Sequence, residues 1–414
     1  MRVGAAKIDI TPDFQTELGG YAAREQPAVG VLHPIYVRAA AFEHERQRVV
    51  MISIETCEIT RAFADNVRGE VAKAFGIAAD HVCITCTHTH SAPSMYPFNQ
   101  CGSPNERYTS LVRQRAIACA QQAGDNLAPA KVVHGRAPLA VGQNRRHVGV
   151  GAFDGELRVL TALGEHDRPI AMLLHHACHP VCMPVSDRLV SGDCVGIACE
   201  ALERRFSEDC VAMFIQGCAG DINPRDPFRF TQTAAHDAGM RIADAATPLV
   251  GAVESHAAVD ACATLVELPY AQLDRATLRE QLDELDRSAA GESTAARAQR
   301  IWLTTCLRDD RPTSMPVGVQ ILQLGAVRWI VLSGEVLYGI AQRLERACPG
   351  GPGSAEAWIA AYAHGGHGYI PTSDAQREGG YEPHDSNYYY NRPHLIEGVD
   401  DMLVDAAAKL CFGR

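Results

Sequence analysis

The sequence predicts an α/β fold with a mixed β-sheet core and flanking helices, and three observations carry that expectation. Short apolar runs of strand length recur along the 414 residues. Helix-period segments lie between several of them, the alternation expected when helices cover a sheet. Polar motifs also follow the ends of the apolar runs, where ligand sites gather in such folds.

The strand-like runs are Val49–Ile54, Val82–Thr87, Ala171–Leu174, Val211–Ile215, Val319–Leu324 and Trp329–Leu332. Each is too short for a helix of ordinary length. Helical periodicity covers Phe63–Phe75, Tyr108–Gly124, Asp193–Phe206 and Val336–Ala347. The stretch Gln272–Leu307 is rich in Leu, Ala, Glu, Arg and Gln and is broken by Gly and Ser at Ala290–Ser293. It reads as two helices joined by a turn, an insertion at 272–307 packed on the outside. Pro349–Ser354 reads as a Gly/Pro-rich loop. The sequence shows neither an internal repeat nor a linker, so one domain over residues 1–414 is expected.

Composition narrows the function classes. The formal charge of −11 disfavours a general nucleic-acid binder. The opening residues lack the apolar run of a secretory signal, and no apolar run is long enough to insert in a membrane, so the expected location is cytoplasmic. The fifteen cysteines are odd in number and are expected to be reduced and mostly buried. Cys83 and Cys86 precede His88, and Cys178 and Cys182 flank His179, but these pairs lack the matched spacing of a structural zinc site.

Five constellations carry chemistry. His88 and His90 alternate in Thr87–Ser91, so an extended chain puts both on one side. Three histidines, His175, His176 and His179, end an apolar run just before Pro180. Gly217–Arg225 is a tight loop offering Asn223 and Arg225 as polar contacts and backbone N–H groups for an oxyanion. Glu335 ends another apolar run, where a carboxylate can complete a histidine-based metal site or begin a helix. Ala363–Thr372 offers His364, His367 and Tyr369, and Tyr381–Glu382 and the run Tyr388–Arg392 follow it. Imidazoles and a carboxylate suit a borderline metal; the residues alone leave zinc, iron(II) and manganese(II) open.

Taken in order, these motifs resemble the catalytic domain of the neutral/alkaline (non-lysosomal) ceramidase superfamily. The resemblance is carried by Asp9–Pro12, Gly20-Tyr21, Thr87–Pro93, Asn144-Arg145, His179–Met183, Ser191–Asp193, Gly220–Pro224, Gly334-Glu335, and Tyr369 through Tyr381-Glu382. It implies one zinc ion per chain on His88, His179, Glu335 and Tyr369, with His90, Arg145 and Tyr381 as further active-site residues. It also implies hydrolysis of an amide by metal-activated water. Asn223 stands where the family carries a serine, and its amide can donate to a carbonyl oxygen instead. Arg145, Arg146 and Arg225 near the motifs favour a small, polar, carboxylated substrate over an N-acyl sphingoid lipid. The competing expectations are lactone opening, cyclisation or elimination on the same scaffold, or a true ceramidase acting on N-acyl sphingoid lipids. A small-molecule substrate and a homo-oligomer are the expected partners.

Overall fold

The computed structural model describes residues 1–147, 153, 155–207, 209–251, 253–287, 293–350 and 356–413. Most of the expected Ala290–Ser293 turn and residues 351–354 of the expected loop lie outside these described residues.

Three sheets dominate the structure, and they share one topology. In the first, strands Arg2–Asp9, Tyr36–His44 and Gln47–Ile54 run antiparallel in succession; helix Arg61–Phe75 then crosses over to Val82–Cys86, parallel to the third strand. The second repeats the pattern with Lys131–Pro138, Glu156–Leu163, Pro169–His176, helix Asp193–Phe206 and Val211–Gln216. The third repeats it again with Val259–Pro269, Ser314–Leu324, Val327–Leu332, helix Tyr338–Ala347 and Glu356–Ala360. A further helix follows each last strand: Glu106–Asp125, Gln232–Ala246 and Val399–Phe412. Each of these packs back on strands of its own sheet. The repeat that the sequence conceals is therefore plain in the backbone.

Alternation explains the layering. Phe42, Met51, Leu160, Leu173, Met213, Trp329 and Trp358 come from all three sheets and meet in one shared core. Trp329 and Trp358 pack edge to face there, with ring centroids 5.0 Å apart. The alternate residues, such as Ile52, Ile84, Leu174 and Phe214, pack with helix residues including Val67, Val112 and Ile197. The sheets thus turn one face inward and take helices on the other. Among the described residues no helix is long and apolar enough to cross a membrane. None of the fifteen cysteines is in a disulfide, and thirteen are buried.

The 272–307 insertion joins the first two strands of the third unit as helices Arg275–Arg287 and Thr294–Cys306. It is more than an outer layer. Trp302 is buried and donates from Nε1 to the Arg392 carbonyl at 2.7 Å, and Arg392 donates to the Tyr369 carbonyl at 2.5 Å.

His175 and His176 end a strand inside the protein and lead to an acid-lability prediction. Burial is the first cause that pulls His175 down to about 3 and His176 to about 4. Both stay neutral in the fold while the unfolded chain protonates below about 6.5, so stability falls as pH drops from 6.5 towards those values. At pH 5 the loss is about 2 kcal/mol per histidine. Urea midpoints for the unaltered chain and for His175→Gln should converge between pH 7 and pH 5. Parallel curves would refute the assignment.

Candidate metal centre and active site

Each unit sends two loops to the same place, one after its third strand and one after its fourth. His88 and His90 leave the fourth strand of the first unit, and His179 leaves the third strand of the second. Glu335 leaves the third strand of the last unit, and Tyr369 follows its fourth. Glu335 and Tyr369 are brought together because Glu335–Val336 pairs in parallel with Tyr369–Ile370. That short ladder also corrects the expected helix start: Glu335 is in a strand pair, and the helix begins at Tyr338.

The ligand-type atoms of His88, His179 and Glu335 lie within 4.8 Å of one another, and all three side chains are buried. His88 Nε2 is 3.2 Å and His179 Nε2 3.1 Å from the same oxygen, Glu335 Oε2. Tyr369 Oη is 3.4 Å from His179 Nε2, and the Tyr390 hydroxyl donates to Glu335 Oε1. His90 Nε2 is 3.2 Å from His88 Nε2.

The other ring nitrogens settle the tautomers. His88 Nδ1 is 2.7 Å from the Cys57 carbonyl, and His179 Nδ1 is 2.6 Å from that of Ala219. A carbonyl only accepts, so Nδ1 carries the hydrogen and a neutral ring turns a bare Nε2 lone pair to the centre. Two lone pairs then face a carboxylate oxygen, an arrangement that needs a cation or protons between them. Electrostatics makes the same demand. Burial pushes His88 down, yet the Cys57 thiol and Glu335 hold it well above the usual histidine range. Burial pushes Glu335 up, yet His88 and His179 hold it well below the usual carboxylate range. His90 is held well below its ordinary range by burial and then by His88 and His179. The donor set, two imidazoles and a carboxylate with a phenol at its edge, fits a zinc-like ion.

Backbone freedom at one glycine admits His90. Gly20 has φ of +100°, and a Cβ there would lie 2.5 Å from His90 Cγ and Nδ1. The Tyr21 ring packs edge-on to His90 at 4.7 Å.

Arg145 organises the opposite wall. It donates to Glu382 Oε1 at 2.7 Å, to the Gly220 carbonyl at 2.8 Å, to Asn223 Oδ1 at 3.2 Å and to Tyr369 Oη at 3.3 Å. Arg146 binds the other Glu382 oxygen at 2.7 Å and Glu378 at 3.0 Å. Tyr381 opens a π-helical turn that carries Glu382, and its half-exposed ring meets Tyr369 edge-on at 5.6 Å. Arg145, Arg146, Glu378, Tyr381 and Glu382 line a cleft of about 480 Å³. Arg225 is exposed, and its guanidinium makes no side-chain bond among the described residues.

Other expected residues fall elsewhere. His364 lies outside the cluster, with Nε2 3.0 Å from Gln320 Oε1, and His367 is likewise outside it. Cys83 belongs to the apolar core. Cys182 lies within reach of Asp193 and Cys194, but the Asp193 oxygens already accept from the backbone of Cys182, Met183 and Cys194. Sequence reasoning missed Tyr390 and Glu382 as site residues. Both stood in noted motifs, but the run of three tyrosines gives no sign of which one faces Glu335.

Comparison with known proteins bears on the fold and the family. Neutral ceramidase of Drosophila melanogaster is 25% identical over 256 residues, covering 54% of this chain and 36% of that protein. Neutral ceramidase of rice is 25% identical over 232 residues, covering 50% and 28%. The chain thus matches about a third of the length of these relatives. The crystal structure of neutral ceramidase from Pseudomonas aeruginosa superposes with a TM-score of 0.79 at 19% identity, over 99% of this chain and 74% of that one. A ceramidase complexed with C2 gives 0.78 at 17%, over 99% and 75%. These two likenesses establish the mixed α/β fold. Residues 1–227, more than half of the chain, match the family described as neutral/alkaline non-lysosomal ceramidase, N-terminal, and the chain belongs to that family.

Proposed function

We propose that this chain is a zinc-dependent hydrolase cleaving the amide C–N bond of a small, polar, carboxylated substrate. The observation that carries the reading is the convergence of His88 Nε2, His179 Nε2 and Glu335 Oε2 on one buried point. These residues and Tyr369 would hold the ion. When bound, the metal supplies the Lewis acidity that makes a water nucleophilic at neutral pH. His90, kept neutral at the edge of the cluster, takes a proton at Nε2 and returns one to the leaving nitrogen. Arg145, Asn223 and the Tyr369 hydroxyl form the polar wall against which charge on the carbonyl oxygen develops. Tyr381, half-exposed at the cleft, orients the substrate.

The test is a chelated protein given back zinc, iron(II) or manganese(II) and offered N-acetyl amino acids, their amides, small lactones and an N-acyl sphingosine. Metal-dependent amine release from the carboxylated amides is expected. Turnover that survives chelation, or lactone opening alone, would sink the reading. The Gly20→Ala variant separates proton transfer from metal binding. It should keep its metal yet turn over about 10²- to 10⁴-fold more slowly, because the new Cβ displaces His90.

A further inference from the structure

The loop that contributes Gly20 also carries a buried cation to which the proposed reaction gives no task. Arg24 is 7% exposed. Its Nη1 donates to the His90 carbonyl at 2.6 Å, and its guanidinium lies 4.9 Å from the Tyr21 ring centroid. Nε and Nη2 are buried and have no hydrogen-bond partner. The residue lines a cleft of about 440 Å³, together with Glu17, Glu25, Phe98, Asn99 and Arg297.

The cleft's own carboxylates are engaged elsewhere. Glu25 accepts from Thr294 Oγ1 and Arg297 Nη2, both at 2.8 Å, and Glu17 accepts from the Ser103 backbone at 2.8 Å. Neither makes a hydrogen bond or ion pair to Arg24. A guanidinium does not give up its proton at working pH, so a buried one with two idle donors is costly unless something completes it. Nε and Nη2 form one edge of the guanidinium, the edge that a carboxylate meets with two parallel bonds.

The place of this edge ties it to the active site. Arg24 grips the backbone of His90 itself. Phe98, which lines the same cleft, packs on Tyr390 with centroids 5.3 Å apart, and Tyr390 donates to Glu335. By contrast, Arg145 and Arg146, expected from sequence to take a substrate carboxylate, are both held by Glu382.

We propose that Arg24 is the carboxylate-recognition residue of the substrate site, receiving the acid group on its Nε–Nη2 edge. The role of that carboxylate as part of a substrate rests on the hydrolase reading; its binding does not. The matched probes are N-acetylglycine and N-acetylglycinamide, which differ in the charged group alone. Calorimetric titration of the zinc-loaded protein should show the acid binding about 30-fold tighter than the amide. Arg24→Gln, whose amide can still donate to the His90 carbonyl, should abolish that preference while leaving zinc content unchanged. Arg24→Lys keeps the charge without the fork and should retain part of it. It also serves as the readout if the Gln variant lacks the folded circular-dichroism spectrum. Equal or absent binding of the two probes by the unaltered protein, or an undiminished preference in the variants, overturns the proposal. Loss of metal-dependent turnover would strike the hydrolase reading instead, because this comparison measures binding and runs equally on chelated protein.

Discussion

The His179→Ala protein should bind less than a tenth of the zinc that the unaltered chain binds at the same free concentration, and its turnover should fall at least in proportion. Removing groups that merely orient metal ligands already costs about 10- to 100-fold in affinity or activity. His179 is placed to be a direct ligand: its Nδ1 is fixed by Ala219 and its Nε2 sits 3.1 Å from Glu335. Its loss would leave His88 and Glu335 as the remaining buried pair, one imidazole short of a closed set. Metal content by atomic spectroscopy, with amine release on the same samples, checks the result. Full zinc occupancy in the variant would move the metal off this cluster altogether.

The second large effect is expected at Arg145→Met. This residue joins loops from two units by four side-chain bonds, and its removal leaves Glu382 deep in the wall with Arg146 alone. A broken buried pair costs about 3 to 5 kcal/mol. The Arg145 side chain is 23% exposed and Arg146 still grips Glu382, so the low end, about 3 kcal/mol, is expected. Urea unfolding reads it directly. Arg145→Met combined with Glu382→Gln should recover about 1 kcal/mol or more, since the carboxylate that needed a partner is gone. Additive losses would mean that the pair is not energetically coupled. Turnover of Arg145→Met should fall about 10²- to 10³-fold, because the donors facing the developing oxyanion depend on it.

Much of the architecture was legible because several strands are buried on both faces and so read as unbroken apolar runs. Gln47–Ile54, Val82–Cys86 and Val211–Gln216 are of this kind. Arg2–Asp9 and Val259–Pro269 were not, since exposed polar residues interrupt their apolar positions. Tyr36–His44 places three alanines at its centre, residues that favour helix over strand. The residues now seen to converge were marked in sequence by an abrupt change from apolar run to His, Glu or Gly. Spacing and periodicity alone do not give their common destination, which depends on how three sheets pack; the family resemblance implied it for His88, His179, Glu335 and Tyr369. The arginines show the limit most clearly. Sequence gives Arg145, Arg146 and Arg225 as equals, whereas Glu382 engages two of them and the third is exposed. Arg24 stood out in no motif, because what sets it apart is that two of its buried nitrogens, Nε and Nη2, have no hydrogen-bond partner.

The threefold repeat has a consequence for how the chain is held together. No unit owns the cluster: His88, His179 and Glu335 come one from each. An ion gripping all three is therefore a cross-link, closing chain loops of roughly 90 and 156 residues as a pair of covalent staples would. Because the unfolded chain cannot present these ligands together, the affinity of the site adds directly to the free energy of folding. A bound ion would then act as the keystone of an arch whose three segments have separate helices but a common crown.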